Sequence, residues 1–127
     1  MIHLRKFWAL HSYHHSATEF TLLTNARGHF LEESIYTVFT GILISVVGLP
    51  LFDLYVIFLF KEFYGLIIHS DININFGWIG RCVLITPQDH KLHHSINPAD
   101  YGRNYGTLFI WWDKLFGTYK APSPVSC

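Results

Sequence analysis

The feature that most restricts how this chain can fold is a long apolar segment in its middle. Between Ile35 and Phe60 stand 26 residues whose only charge is Asp53. About 20 apolar residues of helix cross the hydrocarbon core of a bilayer, so the segment is long enough for lipid. Charged residues make up 14% of the whole chain, against about 25% in ordinary soluble domains. We therefore expect lipid to cover part of the protein surface.

A glycine and a proline interrupt this segment near its middle. Gly48-Leu49-Pro50 breaks the helical pattern, because proline lacks a backbone donor and clashes with the preceding turn. The segment is either one kinked span or a hairpin of two helices, from about Ser34 to Val47 and from about Leu51 to Ile68. The hairpin is favoured because all nine Lys and Arg residues lie outside residues 35–60. Both outer ends would then share the cytosolic, cation-rich side. A shallow re-entrant hairpin is a further alternative, since the first predicted helix is short for a full membrane span.

One histidine pattern occurs twice in a chain that has nine histidines. The two copies are His11-Ser12-Tyr13-His14-His15 and His90-Lys91-Leu92-His93-His94. Positions i, i+3 and i+4 share one face of a helix, so each box predicts a cluster of three imidazoles. His3 and His69 would raise the number of donors to eight. Imidazole suits iron, zinc and copper, and this number suits two metal ions that keep open positions.

Other interpretations of the histidines fit the sequence less well. A single His-x-x-His pair often occurs on a protein surface by chance. A repeated three-histidine box in so apolar a chain is not expected by chance. Structural zinc sites are rich in cysteine, and the chain has two cysteines, Cys82 and Cys127. Soluble di-iron bundles use Glu-x-x-His, which does not occur in the sequence. An all-imidazole set leaves the metal charge unneutralised, which favours dioxygen activation against an unactivated C–H bond. His29 stands apart and is predicted to support the site rather than to bind metal directly.

The arrangement of these boxes resembles the fatty acid hydroxylase / sterol desaturase superfamily of membrane-bound, histidine-box di-iron oxygenases. The similarity runs from His3 to Tyr119. Its segments are residues 7–16, similar to LWxxHxxHHS; 25–32, similar to RxHPLE with Phe30 in place of proline; 69–72, similar to HxNI; 86–94, similar to SPxxHxxHH; and 104–106 with 112–119, similar to NYG…WDxLFGTY.

The resemblance implies an all-α fold, in which a membrane hairpin carries a cytosolic helical cap with a dimetal site. The domain would cover residues 1–120 and leave a tail at 121–127. Its activity would be O₂-dependent hydroxylation or desaturation of a fatty acyl chain, sterol or related lipid, in lipid biosynthesis. The cofactors would be two iron ions (zinc can replace them during isolation), O₂ and an external electron donor. No catalytic residue is expected apart from the metal ligands, which would be His3, His11, His14, His15, His69, His90, His93 and His94.

Several other residues are candidates to support the ligands. Asn104 would hold a metal-bound water or cap a turn. Asp89, Asp100 and Asp113 would orient imidazoles by accepting their second proton, or would be solvated acids. Trp111 and its neighbour Trp112 would pack or anchor the domain at the membrane interface.

The expected partners are a lipid substrate, the membrane, and an electron-transfer protein or reductase. A net charge of zero gives no electrostatic reason to expect nucleic acid. The expected location is a bacterial inner membrane or the endoplasmic reticulum, with the histidine boxes on the cytosolic side.

Two alternatives remain beside the active enzyme. The family's first box is an HxxxH or HxxxxH pair, and His3 stands where the second histidine of that pair belongs. We therefore expect the chain to be N-terminally truncated, so one alternative is an inactive remnant that keeps metal or partner binding. The other is a membrane metal-binding or transport protein. It would need histidines inside residues 35–60, and that segment has none.

Overall fold

The fold is helical throughout the part of the chain that can be described. The computed structural model describes residues 2–17, 19–74 and 76–122, with the backbone alone for residues 2–6. Its α-helices are α1 (Ile2–His11), α2 (Phe30–Val47), α3 (Leu51–Ile68), α4 (Gly77–Cys82), α5 (Pro87–His93) and α6 (Trp111–Leu115), with 3-10 turns at His14–Ser16, Leu22–Ala26 and Pro98–Asp100. Across these ranges the only extended pairing is an isolated antiparallel bridge between Leu84 and Phe109. The predicted all-α class is confirmed.

The apolar segment forms two helices of 18 residues each, joined by the predicted turn. Gly48 ends α2 with φ +72°, a left-handed conformation that glycine adopts without steric cost. Across the turn, the Lys61 ammonium lies 4.8 Å from the centre of the Tyr36 ring, so the arms run back alongside each other. The first arm starts four residues earlier than expected. His29 caps it there, because its Nδ1 accepts a hydrogen bond from the Leu31 amide at 3.2 Å.

The two arms present their apolar side chains outward. No described residue of α2 is buried, and Val46 is 81% exposed while Leu51 is 84% exposed. By length and composition, α2 is the one described helix that could cross a membrane. The α3 helix is equally long but carries three charged residues, Asp53, Lys61 and Glu62. Such exposure is unlike the core helix of a soluble protein, which buries its apolar face.

The last turns of α3 anchor the rest of the molecule. Tyr64 and Ile68 are buried there, as are Ile85 and Ile110 from the segments that form the bridge. The Tyr64 hydroxyl donates to the Ile85 carbonyl at 2.5 Å. This contact ties the segment before α5 to the end of the hairpin. It therefore fixes where the second histidine box begins.

The 3-10 turn at Leu22–Ala26 packs against another side of α3. The Asn25 side chain lies so close to Gly65 that a Cβ at that position would collide with the Asn25 amide. Any larger residue at position 65 would therefore force the Asn25 side chain to move. Meanwhile α1 packs against α2. The first box, the end of α3 and α5 are thereby brought to one place.

Candidate metal centre

The second histidine box lies on a capped helix, as predicted. Thr86 and Asp89 form a capping box, in which the Thr86 hydroxyl accepts from the Asp89 amide at 3.2 Å and Asp89 Oδ2 accepts from the Thr86 amide at 2.9 Å. Pro87 occupies the first turn, where its missing N–H is not needed. These three residues fix the start of α5. His90 and His93 then share one face, and His94 follows as the C-terminal cap.

The first box does not form a single helix, contrary to the expectation for its spacing. Helix α1 ends at His11, and a separate 3-10 turn runs from His14 to Ser16. The three imidazoles nevertheless cluster, because the turn folds back on the helix end. The ring centre of His11 lies 5.3 Å from that of His14 and 4.8 Å from that of His15. The chain path differs from the prediction while the grouping of the rings agrees with it.

Seven of the eight predicted ligands meet in two adjacent groups. Within each group, one nitrogen from every histidine lies within 4.8 Å of the others. The four-histidine group is His14, His69, His90 and His94, and the three-histidine group is His11, His15 and His93. His15 and His94 connect the groups, with stacked rings 4.2 Å apart. The eighth predicted ligand, His3, has a side chain outside the described residues.

Four imidazoles of the cluster are held in orientation by hydrogen bonds from their Nδ1 atoms to oxygen acceptors. Three Nδ1–H groups donate to main-chain carbonyls: His14 to Arg27 at 3.0 Å, His69 to Gly65 at 2.7 Å and His93 to Arg103 at 2.8 Å. The fourth, His11, donates to the Glu32 carboxylate at 2.8 Å. A carbonyl or carboxylate oxygen can only accept, so each Nδ1 holds the proton and each neutral ring has a bare Nε2.

These bare nitrogens point at one another. His14 Nε2 lies 3.0 Å from His69 Nε2, and His11 Nε2 lies 3.4 Å from His93 Nε2. Two facing lone pairs repel unless a cation stands between or beside them. In addition, the buried Nε2 of His94 has no hydrogen-bond partner among the described residues. The donor set therefore fits bound metal ions, with one pair of facing nitrogens in each group.

Burial keeps the rings in the neutral form that a metal requires. Removal from water, reinforced by neighbouring imidazoles, lowers the pKa of His15 to about 3. Burial likewise lowers the pKa of His69 and that of His93 to about 4 each. For His90 and His94, desolvation again lowers the pKa, followed by repulsion from nearby histidines. At neutral pH these five rings therefore carry no positive charge, and each keeps a lone pair for a metal.

Aromatic side chains surround the two groups. The Trp8 ring packs 4.9 Å from His15, the Phe20 ring 5.1 Å from His94 and the Tyr105 ring 5.4 Å from His93, between ring centres. Each of these rings covers imidazoles from the side rather than offering a ligand. They limit the access of water to the nitrogens.

The predicted supporting residues have structural partners. Asn104 is fully buried with φ +52°, and its amide donates to the Asp89 and Lys120 carbonyls while accepting from the Lys120 amide. Both amide protons are thus used, so the geometry favours the turn-capping alternative over holding a metal-bound water. His29 caps α2 and lies outside both histidine groups.

The three aspartates proposed to orient imidazoles bind other groups. Asp89 caps α5, as described above. Asp100 accepts from the Ser95 hydroxyl and the Lys120 ammonium. Asp113 accepts from the amides of Tyr105 and Gly106 and from the Thr118 hydroxyl. These carboxylates hold loops in place around the site. Trp111 and Trp112 are 53% and 58% exposed.

Sequence reasoning missed the carboxylate that does contact one of the clustered histidines. Glu32 stands in the first turn of α2, 21 residues from the His11 ring that it binds. The only signal was its place in the segment 25–32, which resembles RxHPLE. The Arg27 carbonyl that binds His14 belongs to the same segment. A role in holding ligands accounts for both positions.

Comparison with known proteins matches residues 1–118 to the fatty acid hydroxylase family. Human alkylglycerol monooxygenase is 36% identical over 118 residues, covering 90% of this chain and 25% of the human protein. Alkylglycerol monooxygenase of Caenorhabditis elegans is 32% identical over 115 residues, covering 91% of this chain and 22% of its own length. An ornithine lipid hydroxylase of Rhizobium tropici is 30% identical over 115 residues, covering 91% of this chain and 34% of the relative's length.

The chain thus spans between about a fifth and a third of the length of these curated relatives. No solved structure matches the chain. The family match extends over both histidine boxes, the hairpin and the loops that hold them. On this evidence the chain belongs to the fatty acid hydroxylase family.

Proposed function

We propose that the protein oxidises a lipid, by O₂-dependent hydroxylation or desaturation, at a centre of two iron ions. The observation that carries this proposal is the pair of facing Nε2 atoms in each histidine group: 3.0 Å apart for His14 and His69, and 3.4 Å apart for His11 and His93. Lipid-hydroxylating relatives support the reaction class. The ligands would be the seven clustered histidines together with His3. When bound, the irons would supply the redox chemistry with dioxygen and external electrons.

The chain's own residues would prepare the site rather than react. The carbonyls of Arg27, Gly65 and Arg103 hold three rings in one tautomer and direct each Nε2 inward. Trp8, Phe20 and Tyr105 reduce the access of water to the nitrogens. The substrate would be a lipid chain that enters from the apolar side of the hairpin. Electrons would come from an electron-transfer protein or reductase.

We further propose that the hairpin lies in a bilayer. The exposed apolar surface of both arms would be covered by lipid. An 18-residue helix such as α2 is about 27 Å long, close to the roughly 30 Å of a bilayer core. Because both ends of the hairpin meet the histidine groups, the site would lie on one side of the membrane. The distribution of Lys and Arg favours the cytosolic side. The membrane would be a bacterial inner membrane or the endoplasmic reticulum.

Sidedness can be measured with single-cysteine accessibility. In a variant with Cys82 and Cys127 replaced, a cysteine at Ala17 and one at Tyr119 should both react with a membrane-impermeant reagent from the cytosolic side. A cysteine at Leu49, in the turn, should be shielded or react from the opposite side. Opposite-side labelling of Ala17 and Tyr119 would contradict the hairpin topology.

Activity can be tested with a panel of lipid classes. The protein, loaded with ferrous iron and supplied with a reductase, is incubated with an alkylglycerol, an ornithine lipid and a sterol under ¹⁸O₂. We expect one class to yield a product that gains an ¹⁸O atom, or one that loses two hydrogens, as seen by mass spectrometry. A His93→Ala variant should give no product. Equal product from both proteins would contradict the proposed centre.

A further inference from the structure

The two histidine groups differ in the partner behind their ligands. In the four-histidine group, His14 and His69 donate to neutral main-chain carbonyls. In the three-histidine group, His93 also donates to a carbonyl, but His11 donates to the Glu32 carboxylate. Among the side chains described, Glu32 supplies the one carboxylate that accepts a hydrogen bond from an imidazole of the cluster. A hydrogen-bonded carboxylate therefore lies behind one group and not behind the other, although the charge of Glu32 also acts on His14 at longer range.

The fold holds this carboxylate in place. Glu32 lies in the first turn of α2, where the positive end of the helix dipole favours a carboxylate. Helix α1 packs against α2 and delivers His11 to it. The hydrogen-bonded side chains are about one third exposed, at 32% for His11 and 34% for Glu32. The adjacent Glu33 shares the same helix end but points toward Gly28, away from the imidazoles.

The surroundings of the two groups differ as well. His69 and His90 of the four-histidine group are buried, whereas all three members of the other group are half-buried. A half-buried dication with few anionic neighbours would gain from a nearby carboxylate, because the carboxylate makes the hydrogen-bonded imidazole a stronger donor. A main-chain carbonyl orients a ring but brings no charge. Both groups have partners that orient their rings, while a carboxylate hydrogen-bonded to a ring occurs in the three-histidine group alone among the described side chains.

We propose that Glu32 is a positioning residue that makes the two metal positions unequal. Through His11 it would strengthen binding at the His11–His15–His93 position and leave the other position nearly unaffected. The inference rests on the proposed metal centre, and it adds that the two ions are held by different means. Metal release and exchange should accordingly occur in two separable steps.

The test is stepwise metal binding by the full chain in lipid nanodiscs. Co²⁺ serves as a spectroscopic probe, and a graded chelator series measures the affinity of each binding step. Three variants are compared with the wild type: Glu32→Ala, Glu32→Gln and the matched neighbour Glu33→Gln. The glutamine at position 32 can still accept the His11 hydrogen bond but has lost the charge.

We expect Glu32→Ala to weaken one binding step by about 10- to 100-fold, the range found for partners behind metal-bound histidines. Glu32→Gln should weaken the same step less, and Glu33→Gln should match the wild type. The Co²⁺ absorption of the weakened step should also shift, which a purely structural role would not cause.

Either of two results would overturn the inference. One is unchanged affinity in Glu32→Ala; the other is equal weakening of both steps together with a lower melting temperature, which would mark Glu32 as a folding residue. A wild-type protein that binds no Co²⁺ would instead refute the metal centre itself, so the two failures are distinguishable.

Discussion

A His69→Ala variant is expected to lose the metal of the four-histidine group and to lower lipid oxidation by more than about 100-fold, since partners merely behind a ligand already account for about 10- to 100-fold. The reason is the central place of this ring. His69 Nε2 lies 3.0 Å from His14 Nε2 and 2.9 Å from His90 Nε2. Removing it takes away the nitrogen that the others surround. Elemental analysis of the purified protein and product detection by mass spectrometry measure the two effects.

His29→Ala is the matched control for this variant. His29 also sits at the end of a hairpin arm, but it caps α2 and belongs to neither group. Its loss should lower the free energy of unfolding by about 1 kcal/mol, as for other N-caps, and leave metal content unchanged. Equal metal content in His69→Ala and the wild type would refute the assignment of His69 as a ligand.

The second large effect is expected on stability, at Asp113. This carboxylate is 1% exposed and accepts from the amides of Tyr105 and Gly106, both at 2.8 Å, and from the Thr118 hydroxyl at 2.6 Å. Asp113→Ala leaves the two buried amides without a partner, and we expect it to lower the free energy of unfolding by about 3–5 kcal/mol. The rate of thermal inactivation in nanodiscs, compared with that of the wild type, tests the expectation, because the operational stability of a protein that unfolds irreversibly is a rate.

Asp71→Ala provides the comparison for that measurement. Asp71 is an exposed aspartate that pairs with Lys91 at the surface. Surface pairs contribute about 0–1 kcal/mol, so its removal should change the inactivation rate little. If Asp113→Ala inactivates no faster than Asp71→Ala, the hydrogen bonds to Asp113 do not stabilise the loop that contains Tyr105 and Gly106.

The hairpin was predictable because it depends on local sequence. The apolar run and Gly48-Leu49-Pro50 locate the turn, and the second arm spans Leu51–Ile68 as expected. The start of the first arm was missed, because the helix begins before the apolar run, at Phe30, and so includes Glu32 and Glu33. They lie in its first turn, where a helix tolerates acidic residues.

That the imidazoles of the two boxes meet was predictable, since each box gathers three rings at one spacing. Their division into two groups was not predictable, because each group takes histidines from both boxes. The partners behind the rings were not predictable either. The aspartates at 89, 100 and 113 were chosen for their nearness in sequence to the second box and the closing motif, whereas His11 binds Glu32 of another helix. That partner is set by how α1 packs on α2, and spacing along one chain gives no information about it. The 3-10 turn in the first box was missed for a similar reason, because tertiary contacts at His14 and His15 override the helical pattern.

The distance along the chain between the two boxes also sets an order of events in the cell. His15 and His93 touch across 78 residues, and His11 and His93 across 82. A ribosome adds about 5–20 residues each second, so the second box would be synthesised roughly 4–16 s after the first. During that interval the hairpin arms would emerge and, on the proposed topology, would meet the bilayer while the early imidazoles still lack their later partners. Insertion would therefore come first, and the histidine groups would close only on a nearly finished chain.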